Sequence, residues 1–380
     1  MVDTVKLMLD KSMLAMVDKS KFEKDITNPS RGYFTLVQNP TTTELKSGIY
    51  KPKLTLTNRF NCSGRLGETL AIEFSAPKLV FGNNFDEVAD EDFSNVIQKL
   101  KAVLKDMGVY VFENNLQDAL VSSIHYSKNI ALTDYSTPYT YIEQLAKLNI
   151  NKKLDTNRTD FRNEGHSFKY HANTFEVVFY DKIRDLQKGE LSDKRAEEKD
   201  NAIQLSLLDL LKKQKPLEVL RVEIRLNGRS KIRQILKKVD VVAEPTFTNI
   251  FNQKIAKKVL LHYINEIEGA YPPILAYKHD SHVKTFKEIL RANPDLKPTQ
   301  ALELTCFRGL LDEIGVREYR QIIEPYGNYY WYNLNRKMKE LKQPDTTEVF
   351  SKLRTEIEKF EPLRLVAIHD RMIRNDKNEQ

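Results

Sequence analysis

Cysteine is nearly absent from this 380-residue chain: Cys62 and Cys306 are too few for a disulfide framework or a cysteine-rich zinc site. Two isolated thiols suit a reducing interior, so a cytoplasmic location is expected. Long apolar runs are missing as well. None approaches the roughly 20 residues a membrane helix needs, and no membrane partner is expected. Asp3, Lys6, Asp10 and Lys11 interrupt the apolar stretch at the start of the chain, so no secretory signal is expected either. There is no Gly-x4-Gly-Lys-Ser/Thr loop to cradle a nucleotide, and any strand unwinding by that route would need a partner. Internal repeats and low-complexity tracts are absent. So is a strong net charge: 60 basic against 53 acidic residues leave only a mild positive excess, which does not mark a nucleic-acid partner by itself.

The distribution of charge says more. Between Lys212 and Lys238 lie ten basic residues and only two acidic ones, Glu218 and Glu223. Such a segment is either a solvated helix face or a surface that neutralises phosphates. In the second case each duplex contact adds about 0.9 to the slope of log affinity against log salt.

What the chain does have is strands that each carry one reactive residue. Phe175-Glu-Val-Val-Phe-Tyr-Asp-Lys182 alternates with a two-residue period, which places Glu176, Val178, Tyr180 and Lys182 on one face. Val219-Leu-Arg-Val-Glu-Ile-Arg-Leu226 sets Leu220, Val222, Ile224 and Leu226 against Arg221, Glu223 and Arg225. In Leu70-Ala-Ile-Glu-Phe-Ser75 the apolar face opposes Glu73, and in Ser123-Ile-His-Tyr-Ser127 it opposes His125. Half-buried antiparallel strands alternate in this way without any function. Together, however, two carboxylates and an imidazole can hold a divalent cation, and a tyrosine beside a lysine can attack and neutralise a phosphate. A free phenol has a pKa of about 10, so the tyrosine needs a nearby cation to favour its phenolate.

Further strands are expected near residues 4–9, 33–38 and 51–58. An amphipathic helix carrying Val96, Ile97, Leu100, Val103, Leu104 and Met107 should start at Asp92 or Ser94 and stop at Gly108. A helix near 139–148, a polar loop over 149–164, a charged segment over 185–200 and a leucine-rich helix around Leu205–Leu211 follow. Strands and helices without strict alternation argue for an α+β fold with an antiparallel sheet. Beyond residue 240 the pattern is mainly helical. Thr299–Ile314 and Val316–Ile323 flank Gly315 in the shape of a helix-turn-helix or a plain helical hairpin. Tyr326-Gly-Asn-Tyr-Tyr-Trp-Tyr332, followed by Arg336, Lys337 and Lys339, reads either as packed core or as a surface that stacks bases and grips phosphates.

These motifs, in this order, resemble the rolling-circle replication initiators of the filamentous-phage gene II/gene X type over roughly residues 1–235. Met1 to Leu9 is similar to that family's first strand, and Glu73-Phe-Ser-Ala-Pro-Lys-Leu-Val-Phe-Gly82 is similar to its glutamate strand and the turn that follows. Ile124-His-Tyr-Ser-Lys-Asn129 falls at its metal-site strand, Tyr180-Asp-Lys182 at its nucleophile motif and Arg221-Val-Glu223 at the strand that follows. The last two also resemble plasmid initiators of the staphylococcal type. The chain departs from the pattern in two ways. The His-Φ-His signature usual in such nickases is absent, and His125 stands where an aspartate is the rule. His166 and His171, ahead of the tyrosine strand, are either substitute imidazoles or ordinary hairpin residues.

The resemblance implies a nickase-like catalytic domain over 1–238 and a helical domain over 239–380 with a DNA-binding or accessory role. Tyr180 would be the nucleophile, assisted by Lys182. Lys78, Arg221 and Arg225 would contact DNA. Glu73, His125 and Glu223 would hold Mg2+ or Mn2+. The implied partners are single-stranded and origin duplex DNA with a helicase and polymerase of the host cell, in whose cytoplasm the protein would act. A non-catalytic origin-binding or single-strand-binding protein is the alternative that the residues leave open.

Overall fold

The computed structural model describes residues 1–24, 34–41, 43–44, 49–60, 66–132, 136–146, 159–162, 166–187, 218–269, 275, 281–342 and 351–365. Its strands are β1 (Val2–Asp10), β2 (Leu14–Val17), β3 (Glu23–Lys24), β4 (Thr35–Gln38), β5 (Lys53–Phe60), β6 (Leu66–Ser75), β7 (Val109–Val111), β8 (Leu120–Leu132), β9 (Thr159–Arg162), β10 (Ser167–His171), β11 (Phe175–Asp181) and β12 (Glu218–Asn227). Ten of them form one sheet in the order β3-β4-β5-β6-β1-β8-β12-β11-β10-β9, antiparallel at every pairing. β2 and β7 make a separate pair. The fold is therefore α+β around a large antiparallel sheet, as the irregular order of strands and helices suggests.

The helices are α1 (Ala76–Phe81), α2 (Phe93–Asp106), α3 (Glu113–Gln117), α4 (Pro138–Ala146), α5 (Lys182–Gln187), α6 (Arg229–Lys238), α7 (Phe247–Ile250), α8 (Gln253–Glu268), α9 (His282–Ala292), α10 (Pro298–Ile323), α11 (Asn328–Lys339) and α12 (Ser351–Lys359). Alternation along the strands decides which face they cover. Leu220, Val222, Ile224 and Leu226 of β12, with Val5, Leu7 and Leu9 of β1, are buried in one core with residues of α2, α6, α8 and α12. α2 ends where its spacing says it should, at Gly108, whose φ is +83°. A Cβ there would meet Asp18 Cβ and Lys21 Cδ at 3.0 Å, so both conformation and space require glycine. α8 opens on Asn252, whose side chain accepts from the amides of Lys254 and Ile255.

A second core, built from Ile289, Leu304, Phe307, Leu311, Val316, Leu334 and Met338, joins α9, α10 and α11. Gly315, at φ 77° and ψ 165°, breaks α10 into two helices, the glycine-jointed pair expected from sequence. No helix among the described residues is long and apolar enough to cross a membrane.

Three expectations need correction or relocation. β9 lies within the segment expected to be a polar loop. The leucine-rich helix around residues 205–211 and most of the charged segment 185–200 lie outside the described residues, although α5 occupies the start of the latter. The boundary at 238/239 does not coincide with the packing. α7, α8, α12 and Phe360 belong to the sheet's core, and the separately packed helices span about residues 275–341. The sequence looked divided there because strands stop at Asn227, but an antiparallel sheet needs helices to cover its apolar face.

The packing yields a stability prediction. A fragment ending near residue 240 loses α8, which buries Ile255, Val259, Leu260, Tyr263, Ile264 and Ile267. At about 1.5–3 kcal/mol per buried side chain, the loss is on the order of 10 kcal/mol, comparable with a whole domain's stability. The fragment should show no cooperative thermal melt by circular dichroism, whereas a chain truncated elsewhere outside both cores keeps one.

Candidate active site

The sheet brings the reactive strands side by side. In spatial order β6, β1, β8, β12 and β11 are consecutive neighbours, and their polar face carries Glu73, Asp3, His125, Glu223 and Tyr180. The registers align them: His125 lies opposite Arg225, Glu223 opposite Val178, and Arg221 opposite Tyr180. These residues border an open cavity of about 400 Å³, which His166 and Arg184 help to close.

Asp3 was not legible in the sequence. Continuing the alternation of Val5, Leu7 and Leu9 would send it into the core. Instead, β1 carries an extra residue against β8: Val2 pairs with Tyr126 and Val5 with Ile124, so three steps on one strand match two on the other. Such a bulge re-aims a side chain. Val2 stays in the core at 3% exposure while Asp3 turns to the cavity. One ligand atom each from Asp3, His125 and Glu223 lies within 4.8 Å of the others, a spacing suited to one small cation. Glu73, one of the three expected ligands, lines the same cavity but stands outside this trio and pairs with Lys6 at 3.4 Å. His166 also lines the cavity, with Nδ1 3.8 Å from Asp181 Oδ2, whereas His171 is a ladder residue opposite Glu176.

Glu223 is the hub. Its Oε1 accepts from Arg225 Nε at 2.8 Å and lies 3.2 Å from His125 Nδ1. Its Oε2 accepts from the Tyr180 hydroxyl at 3.2 Å and lies 3.6 Å from Arg221 Nε. Burial opposes ionisation of this carboxyl, but Arg225, the His125 hydrogen bond and Arg221 together outweigh it and hold it well below the usual carboxylate range.

The neighbouring cations do not bring Tyr180 down, contrary to expectation. Burial holds its phenol well above the ordinary value; Arg221 pulls the other way, and Glu223, Asp185 and Asp3 add to the upward push. The resting side chain is a neutral phenol whose proton already points at a carboxylate. Tyr126 does not compete for the role, because it is on the core face and donates to the Ile250 carbonyl at 2.9 Å.

Arg221 is not an exposed phosphate contact. It is 2% exposed, and its guanidinium is committed to the protein: Nη2 to Ser127 Oγ at 3.0 Å and to Asp3 at 3.1 Å, Nη1 to Asn129 Oδ1 and the Asn84 carbonyl, both at 3.3 Å. Alternation reports which face a side chain takes, and the cover over that face is invisible to it. Here the cover is the segment around Phe85 with α5 and Leu363–Leu365. Arg225, braced by Glu223 and by Glu176 at 3.1 Å, keeps a third of its side chain exposed at the cavity. Lys78 sits in α1, its amide on the Ser75 hydroxyl, and does not line the cavity.

Lys182 opens α5 rather than ending β11. Its ammonium lies 5.7 Å from the centre of the Tyr180 ring and 4.0 Å from Asp185. Burial, seconded by Arg221, lowers its pKa to about 7 despite Asp185, Asp3 and Glu223. The sign of the consequence follows from proton counting. Between about pH 7 and pH 10.5 the unfolded chain holds a proton on Lys182 that the folded chain has lost, so stability gains up to about 1.4 kcal/mol per pH unit as pH rises through that window. Lys182→Met should flatten this slope and stabilise the fold at neutral pH, which urea melts at pH 7, 8 and 9 would read directly.

Comparison with known proteins found no family, no curated protein and no solved structure that matches the chain.

Proposed function

We propose that the protein is a metal-dependent DNA nicking enzyme of the rolling-circle initiator kind, with Tyr180 as nucleophile. The observation that carries this reading is the hydrogen bond between the Tyr180 hydroxyl and Glu223 at 3.2 Å, beside a cation-ligand trio of which Glu223 is itself a member. A candidate nucleophile, the carboxylate that orients its hydroxyl and a possible cation site thus border one cavity. The order of sequence motifs that resembles the phage initiators supports the same reading.

The donor set, two carboxylate oxygens and one imidazole nitrogen, is compatible with a divalent cation, the oxygens suiting Mg2+ or Mn2+. Asp3, His125 and Glu223 would hold Mg2+ or Mn2+, which would supply Lewis-acid polarisation of a phosphate oxygen. The chain's own residues do the rest. The phenolic oxygen of Tyr180 forms a bond to phosphorus while the bond to the 3′ oxygen breaks. Glu223 orients the phenol by accepting its hydrogen bond, the phenol proton is lost to water in the open cavity, and the departing 3′ oxygen takes up a proton from water to become the hydroxyl that primes a polymerase. Arg225 neutralises phosphate charge at the mouth, and Arg221 holds Asp3 and Glu223 in place from behind. Because the bond is exchanged rather than hydrolysed, the 5′-phosphotyrosine can later return the strand without ATP.

A single-stranded origin oligonucleotide labelled at its 3′ end, incubated with the protein and Mg2+ and then run on a denaturing gel, tests this. Label that stays on the protein band supports tyrosine attack. Cut product without a protein adduct means that water is the nucleophile, and binding without cutting means a DNA-binding protein.

A further inference from the structure

Four tyrosines that the cavity does not use stand in solvent on the helical unit: Tyr326 is 75% exposed, Tyr329 74%, Tyr330 59% and Tyr332 55%. Four large exposed rings within one short segment make the kind of contiguous patch that marks an interaction surface. The arrangement on α11 is directional. Leu334 and Met338 turn inward to the second core. Tyr329, Tyr332, Arg336 and Lys339 fall at i, i+3, i+7 and i+10, one stripe along the helix about 15 Å long. All four are exposed. Aromatic rings occupy one end of the stripe and cations the other.

Charge selects the occupant. Between Glu324 and Lys342 there are four cations and two carboxylates; Glu324 precedes α11, and Glu340 caps its end one turn beyond Arg336, so the net charge of the segment stays positive. Lys337, off the stripe, is tied to Glu303 at 2.7 Å. A duplex hides the faces of its bases, whereas a single strand offers a base face and a phosphate with every nucleotide. We infer that the stripe from Tyr329 to Lys339 docks single-stranded nucleic acid, with bases stacked on Tyr329 and Tyr332 and phosphates at Arg336 and Lys339. This surface is separate from the nicking cavity and does not depend on that reading.

The structure supplies its own reporter. Trp331 is the chain's single tryptophan, next to Tyr332 on α11 and partly buried, with the Arg320 guanidinium 5.2 Å from its ring. The test uses the full chain carrying Tyr180→Phe, in chelator, so that nothing is cut. It titrates a fluorescein-labelled oligothymidine of about 20 nucleotides and follows both anisotropy and Trp331 emission. Saturation should change Trp331 emission, and a duplex of equal length should not. The pair Tyr329→Ala with Tyr332→Ala should weaken binding by about tenfold or more, and the corresponding phenylalanine pair by less than about threefold. Arg336→Gln with Lys339→Gln should lower the salt slope by about 1.4, roughly 0.7 for each lost contact.

Unchanged affinity in both the alanine and the glutamine pairs overturns the inference. So does self-association that the alanine pair abolishes while oligonucleotide affinity stays the same, since the stripe would then be a protein interface. Should the alanine pair melt early, the glutamine pair, exposed at both positions, decides alone. Binding at the stripe with no cleavage by the unsubstituted protein would leave this inference standing and sink only the nicking reading.

Discussion

Tyr180→Phe is expected to nick a single-stranded origin at less than about one thousandth of the unsubstituted rate and to form no covalent adduct, because the substitution removes the oxygen that must bond to phosphorus. The fold should tolerate it. The ring keeps its place, and the one hydrogen bond lost, to ionised Glu223, is worth about 1.5–3 kcal/mol. DNA affinity should stay within a few-fold, since the phenol contributes no charge. Single-turnover cleavage and anisotropy on the same preparation separate the two effects. A variant that cuts at the normal rate would move the nucleophile elsewhere, and buried Tyr126 and Tyr170 are poorly placed to take its role.

The second large effect concerns the cation, and the structure ranks the carboxylates differently from the sequence. Asp3→Asn and Glu223→Gln each remove a charged oxygen from the trio and should raise the Mg2+ needed for half-maximal cleavage at least about tenfold. Glu73→Gln should shift it by less than about threefold, because Glu73 stands outside the trio on a half-exposed pair with Lys6. The comparison must allow for folding. Asp3 and Glu223 partner buried Arg221, and an uncompensated buried charge costs on the order of 3–5 kcal/mol. Melting curves with and without Mg2+ separate the contributions. A ligand variant loses the stabilisation that Mg2+ gives the unsubstituted protein, and a merely destabilised variant keeps it. Equal sensitivity of Glu73→Gln and Asp3→Asn would put Glu73 back among the ligands.

Acid sharpens the same point. Glu223 is held ionised in the fold by Arg225, His125 and Arg221, so its folded pKa lies below its unfolded one. Its stabilisation is therefore present above about pH 4.5 and lost as pH falls below it.

How much of this could be read from the chain varies with the kind of signal. The strands carrying Glu73, His125, Tyr180 and Glu223 announced themselves because a two-residue period survives any sheet they join. Their adjacency did not, since nothing in a strand's own sequence names its neighbours. β1 was legible as a strand, but the bulge between Val2 and Val5 reverses Asp3, and no periodicity foretells a bulge. Arg221 shows the same limit from another side: its face was correctly placed, and the burial that turns it from a phosphate contact into a brace for Asp3 comes from distant segments near Phe85 and Leu363. The division of the chain was misjudged because helices alone mark α8, while what makes it part of the sheet unit is the apolar stripe it shares with β8 and β12.

The most direct test of the central claim is to locate the covalent bond. After reaction with an origin oligonucleotide, the adduct is digested with nuclease and protease and sequenced by tandem mass spectrometry. The account predicts a nucleotide phosphate on the tyrosine of Phe175-Glu-Val-Val-Phe-Tyr-Asp181 and on no other residue. A phosphate on a different side chain, or efficient cleavage that leaves every tyrosine unmodified, would contradict it.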